Sequence, residues 1–140
     1  MNAVEIEAAV SELASAPYDA AEFPFQLLAA FDKKETTLKR LRKGDSNKSD
    51  VPGAILLINS IHLATCAAGQ TRETLDRLKT SPKTASSRAK FIFATDGSYF
   101  EAEDVTGAQE PVADFLPNLA NHFGFFLPLA GISKIGRAHV

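Results

Sequence analysis

Seven basic residues fall between positions 33 and 48: Lys33, Lys34, Lys39, Arg40, Arg42, Lys43 and Lys48. This is the most uneven charge feature of the chain. Cations at this density can neutralise nucleic-acid phosphates, with binding that weakens as salt rises. Lys39, Arg40, Arg42, Lys43 and Lys48 are the expected contact set. Asp32, Glu35 and Asp45 dilute the cluster, and the plainer alternative is a solvated helix face. Glu101 and Glu103 stand at the two-residue spacing that puts both carboxylates on one side of a strand. The plainer reading there is a solvated hairpin face, and it is preferred. Asn121-His122 could open a metal or acid–base site, but no second ligand lies nearby in sequence, so a capping or surface role is preferred. Phe115, Phe123, Phe125 and Phe126 could stack on bases. No basic residue interleaves them, which favours a core, or an interface to a further domain. The chain has no phosphate-cradling glycine motif and no nucleophile elbow.

These side chains need elements to position them. Residues 3–14 fit an amphipathic helix through Val4, Ala8 and Leu13, ended by Pro17. Pro24 is a good first helical position for FQLLAAF. Thr36 or Thr37 could cap a short helix TTLKRLRK that Gly44 closes. GDSNKSD, residues 44–50, reads as an exposed loop. AILLI at 54–58 and the run from Ile61 to Cys66 are continuously apolar, as in a sheet covered on both faces. Residues 70–79 return to helical spacing, and 81–88 form a polar connection. KFIFAT and the run from Tyr99 to Glu103 flank Asp96-Gly97, a strong hairpin signal. A final helix is expected near 110–127. This order predicts an α/β or α+β chain with one central mixed sheet flanked by helices.

With 140 residues the chain suits one domain, and 45% apolar content is that of a globular protein. A net charge of −2 means that any nucleic-acid role must rest on a local patch. Cys66 alone excludes a disulfide framework or a cysteine zinc site, and fits a cytoplasmic compartment. No signal peptide is expected from the acidic start, and no apolar run reaches the roughly 20 residues that span a bilayer.

Three stretches carry a family resemblance. They are FPFQLLAAF at 23–31, NKSDVPGAILLINSIHLATC at 47–66, and AKFIFATDGSYFEAEDVTG at 89–107 taken with NHFGFFLPLAG at 121–131. Together they resemble the N-terminal domain of the MmeI-like DNA methyltransferases, enzymes of the type IIG restriction-modification group, over residues 1–134. In that family one long polypeptide carries a PD-(D/E)xK nuclease domain, a helical spacer, an S-adenosylmethionine-dependent adenine methyltransferase and a target-recognition domain. The resemblance implies a parent that methylates adenine in DNA, with DNA and the remaining domains of its own chain as partners. The Asn-Pro-Pro-aromatic motif of adenine methylation is absent from this stretch. No cofactor is therefore expected here, and S-adenosylmethionine is implied for the parent alone.

The PD-(D/E)xK chemistry needs two carboxylates around a divalent metal, and a lysine beside the attacking hydroxide. Behind the strand AILLI, the acid-x-lysine positions are Asn59 and Ile61. Asn59 brings no charge, and Ile61 neither donates a hydrogen bond nor carries charge. Asp50 could be the first acid, with its gap shifted by about one residue. Alternation sends His62 to the face opposite Ile61. The nuclease is expected to be degenerate, with no catalytic residue and no metal site. Two other readings stay open: a working metal-dependent nuclease that uses Asp50 and another carboxylate, and an interaction domain unrelated to DNA. The last residues, IGRAHV at 135–140, match a forward translation of a widely used sequencing adapter, and are expected to be no part of the domain.

Overall fold

A computed structural model describes residues 1–132. The expected tail at 135–140 lies outside these residues. Three helices come first: α1 (Ala3–Ser15), α2 (Phe23–Ala30) and α3 (Glu35–Lys43). The hairpin β1 (Ile55–Leu57) and β2 (Ile61–Thr65) follows, then α4 (Thr71–Thr80) and the short α5 (Pro82–Ser86). Then come β3 (Phe91–Thr95), β4 (Tyr99–Asp104), β5 (Val112–Phe115) and a run of 3-10 turns over Leu116–Ala130.

The five strands form one mixed sheet in the order β1-β2-β3-β4-β5. The β2–β3 pair is parallel, because α4 and α5 carry the chain back between them. The other pairs are antiparallel. Both faces are covered, as the continuous apolar strands require. Ile55, Leu57, Ile61, Leu63, Phe91, Phe93, Phe100 and Ala102 share the larger core with α1, α2 and the 3-10 run. Ala64, Ile92 and Ala94 point the other way, onto Leu75 and Leu78 of α4. The architecture is α+β in three layers.

Four local expectations change. The buried face of α1 is Ile6 and Val10, while Val4 is 73% exposed. The helix has two apolar stripes, and only contact with the 3-10 run decides between them. Lys34, not Thr36 or Thr37, is the N-cap of α3, without a side-chain cap bond. The connection at 81–88 contains α5, with Pro82 in its first turn and Ser81 accepting from the Lys83 N–H. The helix expected at 110–127 is instead β5 followed by 3-10 turns. Val112–Phe115 pairs with β4, and Pro117, Gly124 and Pro128 weaken a continuous α-helix beyond it.

Candidate functional site

Asp50 lies on the α4 face of the sheet. Its Oδ1 accepts the Ser81 hydroxyl at 2.6 Å. Fully buried His62 stands in the same polar cluster. Its Nε2 meets Ser49 Oγ at 2.7 Å and its Nδ1 meets Thr84 Oγ1 at 2.9 Å. Thr84 donates its own proton to the Leu78 carbonyl at 2.6 Å. It therefore accepts from Nδ1–H, and in the neutral ring Nε2 accepts from Ser49. Burial pushes the His62 pKa down, and the charge of Asp50 opposes that only in part. Burial therefore favours the neutral imidazole. Asn47 anchors the loop by accepting the N–H groups of Ser49 and Leu56.

Asn59 and Ile61 are not brought to this cluster. Asn59 has φ +63° in the β1–β2 turn, and its N–H donates to the Ser87 carbonyl. Ile61 is fully buried in the larger core, on the opposite face. His62, on the face opposite Ile61, is the residue of β2 that lies in the cluster with Asp50. Glu101 and Glu103 share that face too, but they clasp α4. Glu101 accepts from Arg72 at 2.8 Å, and Glu103 pairs with Lys79 at 3.1 Å. With 14% and 16% of their side chains exposed, they are not a solvated hairpin face.

The basic cluster divides by contact. Arg42 makes two hydrogen bonds to the Glu22 carboxylate, at 2.9 and 2.7 Å, and lies 4.1 Å over the Phe25 ring. Lys39 pairs with Glu35 one helical turn away at 3.7 Å. Arg40, Lys43 and Lys48 make no ion pair among the described residues.

Sequence spacing misses one partner. His122 Nε2 lies 2.8 Å from Asp114 Oδ2, which comes from β5. Asn118, His122 and the Phe115 N–H hold the Asp114 carboxyl below its ordinary value. His122 lines a shallow groove of about 680 Å³ together with Glu110, Phe123 and Phe125. Phe125 and Phe126 are core, whereas Phe115 is 64% exposed.

The family model for the MmeI N-terminal domain matches residues 1–139. The chain belongs to that family. It is also 25% identical over 135 residues to "DNA methyltransferase A" of Bacillus subtilis (strain 168). The match takes in 96% of this chain but only 15% of that relative's length. No solved structure matches.

In this MmeI N-terminal domain the donor set around Asp50 does not fit a divalent metal. Asp50 is the one carboxylate in the cluster with His62, and the other groups there are hydroxyls. Among the described residues no group of three or more His, Cys, Asp or Glu could hold a metal ion. No helix among them is long and apolar enough to cross a membrane.

Proposed function

We propose that this domain is the N-terminal part of a site-specific DNA methyltransferase of the restriction-modification type. That parent acts on adenine with S-adenosylmethionine as methyl donor. The domain itself is a degenerate nuclease-like scaffold that contacts DNA. The observation that carries the reading is the family match over 1–139, taken with a relative named as a DNA methyltransferase. The polar cluster adds support. Asp50 accepts from Ser81, and His62 is held between the Ser49 and Thr84 hydroxyls, a set poor in charge for metal chemistry. S-adenosylmethionine supplies the methyl group when bound. The described residues hold no glycine-rich turn fit for it, so its site belongs to the rest of the parent.

The test is direct. The complete reading frame is expressed, incubated with radiolabelled S-adenosylmethionine and unmethylated plasmid, and the DNA is digested to nucleosides. Label in methylated adenine is the expected result. Label only in cytosine, or none in DNA, overturns the assignment.

A further inference from the structure

We propose that Lys33 and Lys90, with Lys34 and Arg88 beside them, form a phosphate-binding patch for duplex DNA where β2 and β3 begin. The fold brings these cations together from separate parts of the chain. Phe31 and Phe91 both pack on Phe126, with ring centroids 5.7 and 5.5 Å away. Lys33 follows Phe31 by two residues, and Lys90 immediately precedes Phe91. The Lys90 N–H donates to the Ser60 carbonyl at 2.7 Å, and the Asn59 N–H to the Ser87 carbonyl at 2.8 Å. The β1–β2 turn thereby ties Arg88 to the same end of the sheet. Arg88 holds φ +55°, a conformation uncommon outside glycine.

The cations at this end, Lys33, Lys34, Arg88 and Lys90, form no ion pair among the described residues. Lys39, Arg42, Arg72 and Lys79 each pair with a carboxylate. The acids nearest in sequence or strand register, Asp32, Glu35 and Asp104, have other partners, Glu35 pairing with Lys39 at 3.7 Å. Asp32 accepts from the Met1 ammonium at 3.0 Å, and Asp104 accepts from Thr106 and Gln109. Burial lowers the affinity of Lys33 for its proton, the nearby charge of Lys90 lowers it further, and the charge of Asp32 opposes this only in part. A bound anion would relieve that repulsion. The cations come from loops at one end of the sheet and can meet successive phosphates, giving position without sequence preference. The choice of DNA as the source of those phosphates rests on the function proposed above.

The experiment measures binding of a short fluorescent duplex to the 140-residue chain across a salt series. Lys33→Ala/Lys90→Ala should weaken binding several-fold, and flatten the salt slope by about one unit for each phosphate no longer neutralised. Lys33→Arg/Lys90→Arg should bind as wild type, which separates an effect of charge from an effect on folding. Arg77→Ala/Lys79→Ala removes equal charge from α4 and should bind as wild type. Three results overturn the proposal: wild-type binding by the Lys33/Lys90 alanine pair, weakening confined to Arg40→Ala/Lys43→Ala, or no duplex binding by wild type at low salt. Competition by inorganic phosphate beyond its ionic strength also overturns it, in favour of a free-phosphate site. Each of these leaves the methylation assay of the complete enzyme to decide the parent's function separately.

Discussion

Gly97 shows how one residue can be fixed twice. Its φ of +95° disfavours any side chain, and a Cβ there would lie 2.6 Å from the Tyr18 ring. Gly97→Ala should destabilise the fold by about 1–3 kcal/mol in urea unfolding. Removing the ring as well, in Tyr18→Ala/Gly97→Ala, should recover only the steric part of that loss, and full recovery would show that the backbone angle is harmless. Asp96 closes the same turn. Burial pushes its carboxyl up, but the N–H groups of Gly69, Ser98 and Tyr99 outweigh this and hold it below its ordinary value. His62 makes stability depend on pH. Its folded pKa lies below the ordinary value of about 6.5, so the unfolded chain takes up the proton first. Its contribution is complete above that value, and is lost as pH falls from there toward the folded pKa. The urea midpoint should decline over that window, and His62→Gln should flatten the decline. An unchanged slope in His62→Gln would place the titration elsewhere.

At the scale of elements, α1 depends on its first turn. Asn2 accepts from the Glu5 N–H, and Glu5 in turn accepts from the Asn2 N–H, a reciprocal capping box. Asn2→Ala should lower stability by about 1 kcal/mol, read as an earlier thermal transition. Because α1 packs along the 3-10 run, fraying should spread there, and amide exchange near Leu119 should speed up with it. No change in exchange at Leu119 would mean that the run holds itself. Helix α4 is held differently. Leu75 and Leu78 are buried beneath it, while Arg72 and Lys79 reach Glu101 and Glu103 from the solvent side. Reversing one charge, in Arg72→Glu, should loosen α4, and the double exchange Arg72→Glu/Glu101→Arg should restore part of the stability.

For the whole molecule, Phe126 joins three layers of contact. Its ring meets Phe31 at the end of α2, Phe91 and Phe93 of β3, and Phe125 beside it. Phe126→Ala should cost about 3–5 kcal/mol, a large part of the stability of a domain this size. Calorimetry should show a lower, broader transition, and a Tm within a degree of wild type would contradict this account of the core. At the same scale the chain should leave supercoiled plasmid intact with magnesium or manganese, because one carboxylate and a histidine whose two ring nitrogens are both hydrogen-bonded make a poor metal site. Metal-dependent nicking that disappears in Asp50→Ala would reverse the degenerate-nuclease reading.

Much of the secondary structure is legible locally. Apolar runs of strand length mark β1, β2 and β3, Asp96-Gly97 marks the β3–β4 turn, and Gly44 ends α3 with φ +85°. These features depend on backbone preference and on neighbours a few residues away. The sequence alone also determined that β1 and β2 are covered on both faces, since their runs are continuously apolar. Tertiary structure decided the rest. Which stripe of α1 is buried depends on the surface it meets, and β5 exists because β4 offers an edge. Asn59 stands in the β1–β2 turn with φ +63°, where strand alternation no longer holds. The partners that divide the cations lie 20 to 29 positions apart in Arg42–Glu22 and Arg72–Glu101. Periodicity is blind to such pairs, because the distance between two side chains is set by strand order and helix packing, not by spacing along the chain.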